Sequence, residues 1–278
     1  CGWVLGSATA PVGKIVFLPR KTSTDRGCCV SQNITGLSDA QVRELGAVFA
    51  ARVAWDPRRR FTPAGAVILA LEFWRTNAAQ AVLAKFYRVH QSTISRTITL
   101  VTRVLAAELE RIDPPVTSVP DTALIVDGTL VPTGNRRNVE GTRSGHRRRH
   151  GMNVHVVSDL AGRILTASDP LPGGTSDLTA FRTWSLASQL DQDQTLADKA
   201  YQGSGMLTPY KKPARKDFHD PDMRVFNTQL AAVRSAVERC IAHLKNWKIL
   251  ATGYRGRITD LPRLLALLVR LERLRLTW

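Results

Sequence analysis

Three acids remote from one another in the chain, Asp127, Asp198 and Glu238, stand where a carboxylate needs a reason. Asp127 closes the apolar run from Ala123 to Val126 and precedes Gly128; Asp198 follows Leu196 and Ala197 in the same way. A charge at the end of a buried strand has to be solvated, paired or bound to a metal. Two such charges converge if their strands are neighbours. Glu238 belongs to the later helical stretch "RSAVERCIAHLK", whose apolar stripe is Leu230, Val233, Val237, Ile241 and Leu244. It falls at the edge of that stripe, with Arg234 one turn before it and Lys245 two turns after, along one ridge. Glu238 would then share a surface with two cations that suit phosphate. Taken singly, each acid reads as a cap or a salt-bridge partner; the joint pattern carries the chemistry. Three convergent carboxylates are oxygen ligands for Mg²⁺ or Mn²⁺. Two such ions about 3.5–4 Å apart activate an attacking oxygen and stabilise a leaving one in phosphodiester chemistry.

The composition agrees with a phosphate partner. The 278 residues carry a formal net charge of +16 and a pI near 10.5. A bias of that size points to a polyanion, nucleic acid above all, because neutralised phosphates release counterions. No stretch approaches the roughly 18 apolar residues of a spanning helix, so no membrane partner is expected. The four cysteines, Cys1, Cys28, Cys29 and Cys240, lack metal-ligand spacing and suggest no disulfide framework. The opening "CGWVLGSATAPVGK" has neither the basic region nor the apolar run of a secretory signal. The expectation is a cytoplasmic, nucleoid-associated protein.

The elements that must position these residues divide in two. Residues 1–36, rich in Gly, Ser and Thr, are expected to be poorly ordered. Residues 37–112 read as helices. Ser38 with Gln41 forms a capping box, and Pro63 opens a second helix. "NAAQAVLAKFYRV", with Val82, Leu83 and Phe86 apolar, and "HQSTISRTITLVTRVLAAELERI" meet at a tight junction near Val89 and His90. That pair fits a helix-turn-helix whose second helix offers Gln91, Ser92, Thr93, Ser95 and Arg96 to the major groove; an ordinary helical bundle is the plain alternative. "DPPVTSVPDT" breaks helix and predicts a linker. Residues 120–278 then change period. "ALIVDGT", "MNVHVVSD", "RILTASD" and "QTLADKAY" are short strands, "SDLTAFRTWSLASQL" is a helix begun by Ser176 or Asp177, and "DLPRLLALLVRLERLRL" is an amphipathic basic helix.

The densest basic stretch, "NRRNVEGTRSGHRRRHG", places Arg147, Arg148 and Arg149 as phosphate clamps beside Asp127; Lys211 and Lys212 in "TPYKKP" add to them. His146 and His150 have helical zinc spacing, but the surrounding glycines and arginines oppose a helix and no further ligand is near. The Gly203–Gly205 "GSG" reads as a turn, and Trp74, Trp184 and Trp247 as core.

In their order, "VDGTLVP", "GHRRRHGMNVHVVSDLAGRIL", "PGGTSDLTAFR", "LADKAYQG", "TPYKKP" and "VRSAVERCIAHLKNWKIL" resemble the DDE transposase superfamily. The similarity is to bacterial insertion-sequence transposases and Harbinger-like DDE endonucleases, and it runs from about Leu37 to Arg257. The resemblance implies an α/β catalytic domain of RNase H-like fold with a mixed sheet, preceded by an all-α helix-turn-helix domain. It carries over Asp127, Asp198 and Glu238 as catalytic metal ligands, Arg234 and Lys245 as the basic partners of the glutamate, and Asp177 in "GGTSD" as an accessory ligand. Related enzymes place a tyrosine three residues before this arginine; here the position is Ala231. The implied activity is hydrolysis at inverted-repeat transposon ends with two Mg²⁺ or Mn²⁺ ions, then strand transfer of the 3′ hydroxyl into target DNA by a dimer or larger assembly. A catalytically dead relative acting as a repressor and a stand-alone metal nuclease are the rival expectations.

Overall fold

The computed structural model describes residues 34–113, 122–134, 136, 139–211 and 220–276. The expected disorder of residues 1–33, most of the proline-rich linker, and Lys212 lie outside the described residues. Ser38 caps α1 (Asp39–Ala50) through the predicted capping box: its Oγ accepts from Gln41 N at 3.3 Å, and Gln41 Oε1 accepts from Ser38 N at 2.9 Å. Thr62 caps α2 (Pro63–Thr76), with Pro63 in the first turn. Helix α3 (Gln80–Tyr87) stops at Arg88, whose φ of +53° no helix can continue. Helix α4 (Gln91–Ile112) starts three residues later, capped by the His90 ring. Leu83, Ala84, Ile94, Ile98 and Leu69 pack this helix pair together. Val82 and Phe86, expected to share in that packing, instead face outward, 60% and 76% exposed. An eight-residue helix has room for one buried stripe, and Leu83 and Ala84 supply it.

The sheet is mixed. Strands β1 (Leu124–Pro132), β2 (Arg143–Ser144), β3 (Arg149–Asp159) and β6 (Thr195–Leu196) run in the order β2-β3-β1-β6. β4 (Ile164–Ala167) and β5 (Leu171–Pro172) also pair with β3. β1 is antiparallel to β3 and parallel to β6. Helix α5 (Asp177–Thr183) breaks at Trp184, and a 3₁₀ turn, Ser185–Gln189, replaces the single helix expected there. Alternation along β1 then separates two faces. Leu124 and Val126 pack with Val157, Phe181 of α5 and Tyr201. Ile125 packs with Ala236 and Val237 of α6 (Pro221–Leu244).

The last helix, α7 (Leu261–Leu276), ties the two halves together. Its buried leucines share one core with α1, α2, α4, β3 and Trp247. Gln41 Nε2 donates to Leu274 O at 3.0 Å, and Arg273 pairs with Asp113 at 2.9 Å. Trp74 and Trp247 are core, as expected; Trp184 is part-buried.

Candidate active site

Asp127 does not end a strand. β1 continues through it to Pro132, so a carboxylate lies in the middle of a nine-residue strand. The pleat turns it to the face of Ile125, toward α6. Asp198 follows the two-residue β6. Two positions beyond the paired Ile125 and Leu196, the parallel register brings Asp198 level with Asp127 and onto the same face. The two acids are thus neighbours without both belonging to a strand. Each uses one oxygen locally: Asp127 Oδ1 accepts from Gly128 N at 2.8 Å, and Asp198 Oδ1 accepts from Ala200 N at 2.7 Å. The second bond caps the 3₁₀ turn Lys199–Tyr201.

The electrostatics follow from that placement. Burial pushes Asp127 up from the usual carboxylate range to about 6; Arg234 opposes that rise, while Asp198 and Asp177 add to it. Arg234 is part-buried on α6, and its Nε is buried with no hydrogen-bond partner among the described residues. Lys245 caps the same helix; burial and Arg147 lower its proton affinity, and Asp127 raises it. Arg147 reaches the strand itself, donating to Gly128 O at 3.3 Å. It comes from the tight turn between β2 and β3, where Arg148 adopts φ +49°. His146 lies in this turn and His150 on β3, not on a helix.

Glu238 lies on α6 one turn beyond Arg234 and is exposed. Among the described residues, no three acidic, histidine or cysteine side chains stand close enough together to hold an ion. Asp177 approaches from the opposite face. It is the first residue of α5, and Ser176 is the N-cap, so the capping role open to Asp177 in the sequence belongs to its neighbour. Asp177 is released to point at the sheet, where its Oδ1 accepts from Asn153 Nδ2 at 2.8 Å. Gly128 makes room for this: a Cβ there would stand 2.8 Å from Asp177 Oδ1 and 3.2 Å from Tyr201 Oη.

Of the remaining predicted residues, Gln91 and Arg96 are exposed and Ser92, Thr93 and Ser95 part-exposed on the first turns of α4; Gln91 donates to Gln80 Oε1 at 2.9 Å. Arg148, Arg149 and Lys211 are exposed. Sequence reasoning missed Asn153, His155 and Tyr201. The signal was present: two polar residues at alternate positions of the otherwise apolar "MNVHVV" mark one face of β3 as something other than core.

The site can be set beside known proteins. The family described as DDE superfamily endonuclease matches residues 126–273, a span that holds all four acids with Arg234 and Lys245. A curated protein of Streptomyces albus G, named "Putative transposase for insertion sequence element IS112", is 32% identical over 185 residues, 66% of this chain and 69% of that protein. No solved structure matches the chain. With more than half of its length inside the family match, the chain belongs to the DDE superfamily endonucleases.

Proposed function

We propose that this endonuclease is a DNA transposase. Residues 120–278 act as an RNase H-like catalytic unit, and α3 with α4, within residues 37–112, acts as a helix-turn-helix that reads the inverted repeats at the ends of an insertion sequence. The observation that carries this reading is the level placement of Asp127 and Asp198 on one face of the sheet, under a helix whose Arg234 balances them.

The donor set fits a hard divalent cation. Both carboxylates are oxygen donors, each accepts a backbone hydrogen bond through Oδ1, and burial, with the like charges of Asp198 and Asp177 adding to it, raises the cost of ionising Asp127. Asp127 and Asp198 would hold Mg²⁺ or Mn²⁺, two ions in all, with Glu238 reaching in from α6 and Asp177 as an accessory. When bound, such ions polarise the scissile phosphate and activate first water and then the 3′ hydroxyl. The chain's own residues do the rest. Arg234, whose buried Nε has no partner among the described residues, and Lys245 receive phosphate oxygens, while Arg147, Arg148, Arg149, Lys211 and Lys212 hold the backbone of the duplex. Gln91, Ser92, Thr93, Ser95 and Arg96 meet base edges or phosphates in the major groove. Joining two transposon ends calls for at least a dimer on DNA.

The test is cleavage of DNA carrying the flanking inverted repeats, with Mg²⁺ or with EDTA, by wild type and by Asp198→Asn. Cleavage by the wild type with Mg²⁺ alone, and none by the variant, is expected. A variant that cuts as well as the wild type overturns the assignment of the second acid. Specific binding without any cleavage by the wild type identifies a repressor instead.

A further inference from the structure

Between the helical half of the chain and the half that carries the acids lies a cleft of about 600 Å³ that the chemistry above does not use. Its floor is core: Trp74, Ile249, Tyr254 and Leu264 line it and share one buried cluster. One wall is α4, which presents Gln91, Thr99 and Arg103. The other is formed by Arg255, Gly256 and Arg263, the last on α7. Arg103, Arg255 and Arg263 are exposed, and Asp260 is the one acid among the lining residues. None of these arginines belongs to the basic loop between β2 and β3 or to "TPYKKP".

The two walls are tied together. α2 ends at Asn77, whose φ of +51° turns the chain toward α3. Asn77 Nδ2 donates to Thr252 Oγ1 at 2.8 Å and to Gly253 O at 3.0 Å. Arg255 Nη2 donates back across the junction, to Asn77 O at 2.7 Å, Asn77 Oδ1 at 3.0 Å and Ala78 O at 3.0 Å. Arg255 is therefore a clasp. Arg103 and Arg263 are not: among the described residues neither has a hydrogen-bond or ion-pair partner.

Two uncommitted cations on opposite walls call for an anion, and position says which. Gln91 lines the cleft and also stands at the exposed start of α4. Arg103 lies 103 − 91 = 12 residues further along that helix, about 18 Å at about 1.5 Å per residue. That is about half of a duplex turn of roughly 34–36 Å, so a duplex that meets the start of α4 brings a backbone strand back over the cleft. Of the aromatic side chains that line it, Trp74 and Tyr254 are buried and Phe73 packs on the core of the α3–α4 pair. They leave little ring face for an unpaired base to stack on, whereas guanidinium and hydroxyl groups suit phosphate.

We propose that this cleft is a second DNA track: the duplex that meets the start of α4 continues across it, with phosphates of one strand held by Arg103 on one side and Arg263 on the other. The inference rests on the reading of this chain as a DNA-binding transposase and adds a contact to it.

The test is binding of the full chain to a duplex carrying the flanking inverted repeat, and to one strand of that duplex, over a series of salt concentrations without divalent ions. Wild type is compared with the double variant Arg103→Ala, Arg263→Ala and with Arg43→Ala, an exposed arginine of α1 outside the cleft. For the duplex, the slope of log affinity against log salt is expected to fall by about two in the double variant, about 0.9 per lost phosphate contact, and to stay unchanged in Arg43→Ala. An unchanged slope in the double variant overturns the track. A fall per arginine just as large in Arg43→Ala makes the effect one of net charge and also overturns it, as does a loss confined to the single strand. A wild type that binds no DNA overturns the track and the proposed function together; a wild type that binds as well as an unaffected double variant overturns the track alone. Should the double variant fail to fold, Thr99→Glu sets a negative charge on the same exposed wall. It is expected to weaken duplex binding by about tenfold or more, and undiminished binding overturns the proposal.

Discussion

Replacing Asp127 by Asn should make the protein more stable and inactive at once. The carboxyl, ordinarily near 3.8, is held near 6, chiefly by burial. The native state therefore binds this proton more tightly than the unfolded chain does, and stability falls as pH rises through that window. The cost is absent below about pH 4, grows between about 4 and 6, and is complete above about 6. At about 1.4 kcal/mol per tenfold change in proton affinity, ionising this group costs up to about 3 kcal/mol. Two effects reduce the gain from removing it. Asp127 is part-exposed, so water screens some of the penalty, and an amide leaves Arg234 without its counter-charge. The amide oxygen can still accept from Gly128 N. A net gain of about 1–2 kcal/mol at neutral pH is expected, or roughly 2–6 °C in Tm for a chain of this size. Thermal and urea unfolding near pH 5 and near pH 7.5, without divalent ions, would show the variant's advantage widening as pH rises. Adding Mn²⁺ should narrow the gap by raising the wild type more than the variant. A variant less stable than wild type near pH 7.5, or an advantage independent of pH, refutes the reasoning.

Gly128→Ala puts a methyl group 2.8 Å from Asp177 Oδ1; a loss of about 1–3 kcal/mol in urea unfolding should accompany loss of cleavage, and an active variant would mean that Asp177 is free to move away without consequence. Arg147→Ala should reduce the slope of log affinity against log salt for DNA binding by about one; an unchanged slope would take this arginine off the phosphates. Glu238→Gln should abolish cleavage yet leave stability without cations within about 0.5 kcal/mol, since the side chain is exposed. Glu272, only 1% exposed, accepts from Trp247 Nε1 and pairs with Arg275. Glu272→Ala should cost about 3 kcal/mol, and hydrogen exchange should then loosen α2 and α4 together with α7, because one core holds them.

The periodic parts of this fold were legible in the sequence. The capping box at Ser38, the proline-led α2, the tight stop before α4 and the existence of β3 all follow from local chemistry that the tertiary structure left alone. The acids were legible as types but not as placements. Asp127 read as a strand end because a charge inside a buried strand is costly on sequence grounds. The structure offsets part of that cost with the charge of Arg234 and the backbone N–H of Gly128. The partner of Asp127 could not be read from a strand pattern, since only Thr195 and Leu196 pair with β1. Asp177 and Ser176 were two candidates for one cap, and only the backbone geometry assigns it to the serine, freeing the aspartate to turn inward. The layer of Asn153, His155 and Tyr201 is set by which face of β3 meets α5, and that is a matter of topology.

The two faces of the sheet also explain why the acids do not form a closed cage. Asp127 and Asp198 share the α6 face, Asp177 approaches through the gap at Gly128, and Glu238 stays in solvent on α6. Burial holds Asp127 up, and the like charges of Asp198 and Asp177 add to that rise, so each further carboxylate brought to this face adds repulsion. Asp127 lies within the sheet, Asp198 just beyond β6, Asp177 is tethered by Asn153, and Glu238 is carried by α6. α6 is not free to wander, however. Its Cys240 and Leu244 lie in the same core as α7, α4 and Trp247. The distance between the exposed start of α4 and the helix that carries Glu238 is therefore set by side-chain packing. If α4 reads the end of the element, the fold itself, rather than a linker, measures how far from that sequence the strand is cut.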